Sequence, residues 1–191
     1  LFEITPDNTG DRQPRTVHHA AIRDLALESG RPVTFILANA PHQGDAWNEM
    51  LNMVDETTAL GGRMTIQALA RQVQTLLSFK SHLPFDKLPT WSQLRAKPLA
   101  EQRRALEDPQ SRARLVAEAM HGPYRNTASG PEVRPPNWDI MVVFDSPIGP
   151  YRSVADRARE GGTTPVDVII DMALASGLEQ FFVQPFANLD F

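Results

Sequence analysis

Three short runs of apolar and β-branched residues, Leu1–Thr5, Val33–Leu37 and Met64–Leu69, are separated by stretches in which apolar residues recur at helical spacing. In the first stretch Val17, Ala21, Ile22 and Leu25 share a face. Thr16 is its candidate N-cap, and Gly30 stands where a left-handed residue ends a helix before Arg31-Pro32 restarts extended chain. In the second, Asp45 is the candidate cap, Trp47, Met50, Leu51 and Val54 form a core-facing stripe, and Gly61-Gly62 ends it. Strand, helix, strand, helix, strand is the syntax of a parallel sheet, because parallel neighbours need a long return path and that path is usually a helix. Function is then expected at the carboxyl ends of the strands. The side chains do not repeat position for position, which argues against a solenoid.

Beyond Leu69 the pattern loosens. Pro84, Pro89, Pro98 and Pro109 divide residues 71–136 into short pieces, with helices predicted over Pro98–Leu106 and Pro109–Met120, each opened by proline in the first turn. Gly122-Pro123, Gly130-Pro131 and Pro135-Pro136 mark turn-rich chain. The whole stretch reads as a helical insertion over a catalytic mouth, without regular sheet. A fourth strand is expected over Trp138–Phe144, then helices over Ser153–Glu160 and Pro165–Ser176, the last capped by Thr164. The four strands should be parallel and adjacent in chain order, and any neighbouring pair among them found antiparallel rules out the barrel. The organisation expected is one partial barrel domain over 1–191: regular units in 1–70, the insertion in 71–136, and a further strand and helices in 137–191.

Composition narrows the classes. At 191 residues, 41% hydrophobic and 22% charged, the chain suits one globular domain. A net charge of -4 without a basic cluster argues against nucleic acid. Arg103, Arg104, Arg112 and Arg114 are interleaved with Glu101, Glu107, Asp108 and Glu118, as on a solvated helix face. No apolar run is long enough to span a membrane and no secretory leader is evident, so a cytoplasmic protein is expected. The absence of cysteine excludes disulfides, thiolate nucleophiles and Cys-zinc sites. The chain opens on Leu1 inside a strand and stops just after the run Phe181–Val183, as an excised piece of a longer enzyme would.

The order of phrases along nearly the whole chain resembles the metal-dependent amidohydrolases of the N-acyl-D-amino-acid deacylase branch. FEIT, GRPVTFIL, a Trp-containing helix, GGRMTIQAL, SHLPFDKLPTWSQL, DPQSRARLVAEA, WDIMVVF, GTTPVDVIIDMALASG and FFVQPFANLD carry the likeness. The resemblance implies an α/β fold, the later half of a (β/α)8 TIM barrel with a helical insertion after its third strand. It also implies cleavage of the amide bond of N-acyl amino acids or related acyl amides by water activated on zinc or another divalent metal in the full-length parent. The family's ligand histidines are not at the matching positions, which hold Glu3–Thr5 and Ile36–Asn39, and its His-x-His and Ser-Asp-Gly motifs would lie before Leu1 and beyond Phe191. No metal residue is therefore carried over, and the fragment alone is expected to bind no metal and to be inactive. The implied partners are a small acyl amide, the remainder of the barrel and a homo-oligomeric copy, with neither nucleic acid nor membrane.

Candidate chemistry rests on few residues. His18 and His19 are adjacent on a predicted helix, cannot face one metal together, and read as surface residues, while His82 and His121 suit ordinary exposed positions. His42, in the loop Ala38–Gln43 after the second strand, is either a loop imidazole bonded to backbone or a general base, substrate contact or metal ligand. Glu3 is the other catalytic candidate. Its direction depends on a strand parity that the pattern leaves open, and an inward carboxylate needs a partner. Asn39, Gln43, Gln67 and Arg71 are candidate substrate contacts, Arg71 suiting a carboxylate by bidentate pairing. Asp145-Ser146-Pro147 reads as a turn initiator. Asp7–Asp11 lacks the later Glu and the flanking helices of a calcium loop. No P-loop, dinucleotide fingerprint or nucleophile elbow occurs. Two other classes remain open: a barrel-derived binding or scaffold protein without metal, and an unrelated TIM-barrel enzyme acting on a phosphorylated or flavin-linked substrate.

Overall fold

A computed structural model of the chain describes residues 1–5, 12–40, 44–124 and 135–189. They form a mixed α/β structure in two compact units, one of residues 1–73 with 186–191 and one of residues 74–185.

In the first unit β1 (Phe2–Ile4), β2 (Val33–Leu37) and β3 (Met64–Ala68) make a parallel sheet in the order β1-β2-β3, with Glu3 opposite Thr34 and Thr34 opposite Thr65. The crossovers are α1 (Arg12–Ser29) and α2 (Ala46–Ala59). The strand-helix syntax thus holds, and Gly30 (φ +59°) and Gly61 (φ +85°) adopt the left-handed backbone that ends each helix. Two details differ. Helix α1 begins at Arg12, so Thr16 lies inside it, and Asp45 precedes α2 without a capping side-chain bond.

The core of this unit settles the strand parity. Ile22, Ala26, Met50 and Met53 from the two helices pack on Val33, Phe35 and Met64, with Ile4, Leu37 and Ile66 against the same cluster. Each Val, Ile, Leu, Phe or Met side chain among them contributes roughly 1.5–3 kcal/mol when fully buried. Alternate strand residues point to opposite faces, so Glu3, Thr34, Ile36, Thr65 and Gln67 share the face turned away from both helices. Two crossovers advancing the same way, with their helices on one side, wind as a singly wound sheet rather than a doubly wound one.

The second unit holds α3 (Pro89–Arg95), α4 (Leu99–Glu107), α5 (Pro109–His121), α6 (Val154–Gly161) and α7 (Pro165–Ala175). Its sheet has the order β4-β6-β5, from β4 (Val73–Leu77), β5 (Val142–Phe144) and β6 (Phe181–Ala187). Trp91, fully buried, lies 4.1 Å from the Phe85 ring and donates its indole N–H to the Leu115 carbonyl at 2.9 Å. Asp108, Ser153 and Thr164 cap their helices by accepting backbone N–H bonds.

Two expectations are corrected. The strand at 139–144 does not follow β3 in one parallel sheet. Met141 donates its N–H to the Asn137 carbonyl at 2.8 Å, which folds the start of the apolar run into a turn, and the remainder pairs antiparallel with β6, Val143 opposite Phe182. The stretch expected to hold only helices and coil also contains β4, a five-residue strand in which half-buried Val73 and Thr75 alternate with exposed Gln74 and Leu76. Among the described residues there is no closed barrel.

Candidate functional site

Parallel strands place residues at equivalent positions side by side, and here they assemble a polar row on the helix-free face. The Gln67 amide donates from Nε2 to Glu3 Oε1 at 3.4 Å and to Thr34 Oγ1 at 3.2 Å, spanning all three strands. Thr34 is buried, whereas Glu3, Thr65 and Gln67 are exposed and Ile36 is 43% exposed. Glu3 is the one ionisable member of this row; Gln67, which donates to it, and Thr34, which accepts from Gln67, are neutral. An anionic oxygen held by an amide can accept a proton or the N–H of a ligand, which is the role expected of a strand carboxylate next to an acyl amide.

A second assembly lies at the carboxyl ends of β2 and β3. Asn188, 9% exposed and left-handed (φ +54°), accepts the Asn39 N–H on Oδ1 at 2.9 Å and donates its own backbone N–H to the Asn39 carbonyl at 2.6 Å. Its Nδ2 donates to the carbonyls of Leu69 at 3.3 Å and Arg71 at 3.2 Å. The structure therefore brings together Glu3 with Gln67, and the backbones of Asn39 and Arg71. His42 and Gln43, like the Asp7–Asp11 loop, lie outside the described residues. Asp145 belongs to an exposed ion pair, accepting from Arg157 at 2.5 Å.

Thr34 and Asn188 carry no motif and were not legible as site residues. Thr34 could have been found only by knowing the register, and Asn188 only by knowing what its loop meets. The histidine pair on α1 needs a correction as well: His19 is 7% exposed rather than on the surface, and it lines a cleft of about 270 Å³ together with Thr16 and Arg23 of α1 and Glu49 and Asn52 of α2. Across the same helix pair Arg15 makes a two-pronged bond to Glu49 at 2.9 and 3.1 Å. In the second unit a mainly apolar groove of about 510 Å³ runs between Pro109, Val116 and Met120 of α5 and Thr164 and Asp167 of α7. Each concavity is lined by one histidine, His19 in the first and His121 in the second, and by none of the candidate catalytic or substrate residues Glu3, Asn39, Gln67 and Arg71.

Among the described residues no group of three His, Asp or Glu side chains gathers closely enough to hold a metal ion. Glu3 supplies one carboxylate amid neutral groups, so the metal implied by the family resemblance does not fit these residues alone.

The fold is thus a mixed α/β one with a parallel, one-sided three-stranded sheet. Comparison with protein-family models, curated proteins and solved structures finds no match to this chain.

Proposed function

We propose that this chain is part of an amidohydrolase that cleaves N-acyl amino acids or related acyl amides, and that β1–β3 are consecutive strands of its (β/α)8 barrel. The observation that carries this reading is the row Glu3–Gln67–Thr34 on the sheet face opposite both crossover helices. In a barrel that face is the interior, and the strand ends beside it form the catalytic mouth. On this reading β1–β3 are the barrel strands of this chain, and residues 74–185, which contain the antiparallel β5–β6 pairing, are the insertion after β3.

Within this reading Glu3 holds or moves a proton at its carboxylate, with Gln67 fixing the orientation of Oε1 and Thr34 fixing Gln67. Asn39 and Arg71, at the strand ends, take the polar groups of the substrate, Arg71 suiting a carboxylate. The test is release of free amino acid from a panel of N-acetyl-D- and N-acetyl-L-amino acids by the full-length parent. Hydrolysis should be detectable, and Glu3→Gln, which keeps size and removes the charge, should lower kcat by about 100-fold or more, the usual weight of a general acid-base group. A parent that releases no amino acid, or a Glu3→Gln variant of undiminished kcat, defeats the proposal.

A further inference from the structure

We infer that Asn188 is a positioning residue for the strand-end site, a clamp that ties the loop after β2 to the loop after β3 and thereby sets where Asn39 and Arg71 stand. The functional consequence rests on the acyl-amide reading, because that reading gives Asn39 and Arg71 their work; the clamp itself does not.

The chemistry is specific to an amide side chain. Residues 38–40 and 69–71 lie past the ends of β2 and β3, where the regular ladder stops and backbone groups ordinarily turn to water. One side chain joins them instead. It accepts the Asn39 N–H on Oδ1 and offers both Leu69 and Arg71 carbonyls an Nδ2 donor, while its backbone N–H closes on the Asn39 carbonyl. Both backbone groups of Asn39 are thereby held by one residue, across 149 positions of chain. Aspartate can supply the acceptor but no donor, and it sets a negative charge against two carbonyl oxygens. Apolar residues supply neither. The left-handed backbone at φ +54° is one that asparagine tolerates better than most residues.

Glycine at this position keeps the left-handed backbone and the backbone N–H while deleting the side chain, so Asn188→Gly isolates the clamp from folding, and Asn188→Asp isolates its donors. Both are made in the full-length parent and read in two ways. By amide hydrogen exchange, Asn39 should exchange at least about tenfold faster in Asn188→Gly and keep its protection in Asn188→Asp, since only the former loses the acceptor. By kinetics on an N-acyl amino acid, both variants should raise KM at least about tenfold with kcat within about twofold, because misplaced loops weaken binding. A merely structural role reduces the fraction of folded enzyme and so lowers kcat at constant KM. Unchanged exchange of Asn39 in Asn188→Gly overturns the clamp, and a fall in kcat at constant KM overturns the positioning role. If the wild-type parent hydrolyses no N-acyl amino acid, the functional reading falls, and the exchange result alone then sustains or overturns the clamp.

Discussion

Asp86 and Arg95 meet at 2.9 Å, with side chains only 10% and 12% exposed. Arg95 also donates to the Phe79 carbonyl at 2.6 Å, the Ser81 carbonyl at 3.0 Å and Gln102 at 2.7 Å, so one guanidinium gathers the chain ahead of α3. Burial outweighs the neighbouring guanidinium and raises the Asp86 carboxyl above the ordinary aspartate range. Removing only the acid strands a buried cation. Asp86→Ala should therefore cost about 3–5 kcal/mol in urea unfolding, and Asp86→Leu combined with Arg95→Met clearly less. Equal losses in the two would show that the pair is not coupled.

Asp167 behaves in the opposite sense. Burial disfavours its charge, but the Thr164 hydroxyl at 2.7 Å and Arg112 at 2.9 Å overcome this and hold its carboxyl below the usual range. A lowered folded-state pKa stabilises the fold above the unfolded value of about 4, and that contribution is lost as pH falls through the lowered value. Thermal melts from pH 6 downward should accordingly show a shallower acid decline for Asp167→Asn than for the wild type; parallel declines would remove Asp167 from the account.

At the scale of elements, the helices of the second unit are built with explicit ends. Thr164 Oγ1 accepts the Asp167 N–H at 3.1 Å, Pro165 occupies the first turn of α7, and Ser153 does for α6 what Thr164 does for α7. Thr164→Ala should lower stability by about 1 kcal/mol through loss of the cap alone, with some further loss from the freed Asp167 contact. A Thr164→Ser variant retains the hydroxyl and should recover most of it, and a variant no more stable than Thr164→Ala would contradict the capping role. These signals are local in sequence, which is why the boundaries of α4, α5, α6 and α7 fall within a residue or two of their expected places. Helix α1 shows the limit: Arg12–Arg15 extend it ahead of Thr16, so of the N-cap residue types near its start, Thr16 is the wrong one to choose.

At the scale of the molecule, the helix-free face of the parallel sheet is the feature that most needs explaining. Parallel sheets are ordinarily covered on both sides, yet Ile36 on this face is 43% exposed. If the face is a barrel interior, an acidic group at residue 36 will be buried in the parent and solvated in the 191-residue chain. Ile36→Asp should then destabilise the parent by several kcal/mol and leave melting of the 191-residue chain nearly unchanged. Equal effects in both would place this face in solvent and remove the barrel.

What the sequence determines by itself is whatever depends on near neighbours along the chain. The alternation of strand runs with helical spacing, the glycines at φ > 0 and the proline-opened helices are each specified within a few residues, and together they define an α/β chain with a parallel β1-β2-β3 sheet. The site was legible only as a set of candidates: Glu3 and Gln67 were marked, but sixty-four positions separate them, and only the register of β1, β2 and β3 makes them neighbours. The tertiary structure alone decided the parity of Glu3, since a strand shows two faces and the helices cover one. It also decided that Val142–Phe144 pairs antiparallel with β6 and that Asn188 reaches Asn39, because pairing and loop closure join residues far apart in the chain, and local pattern carries no record of which distant backbone groups will meet.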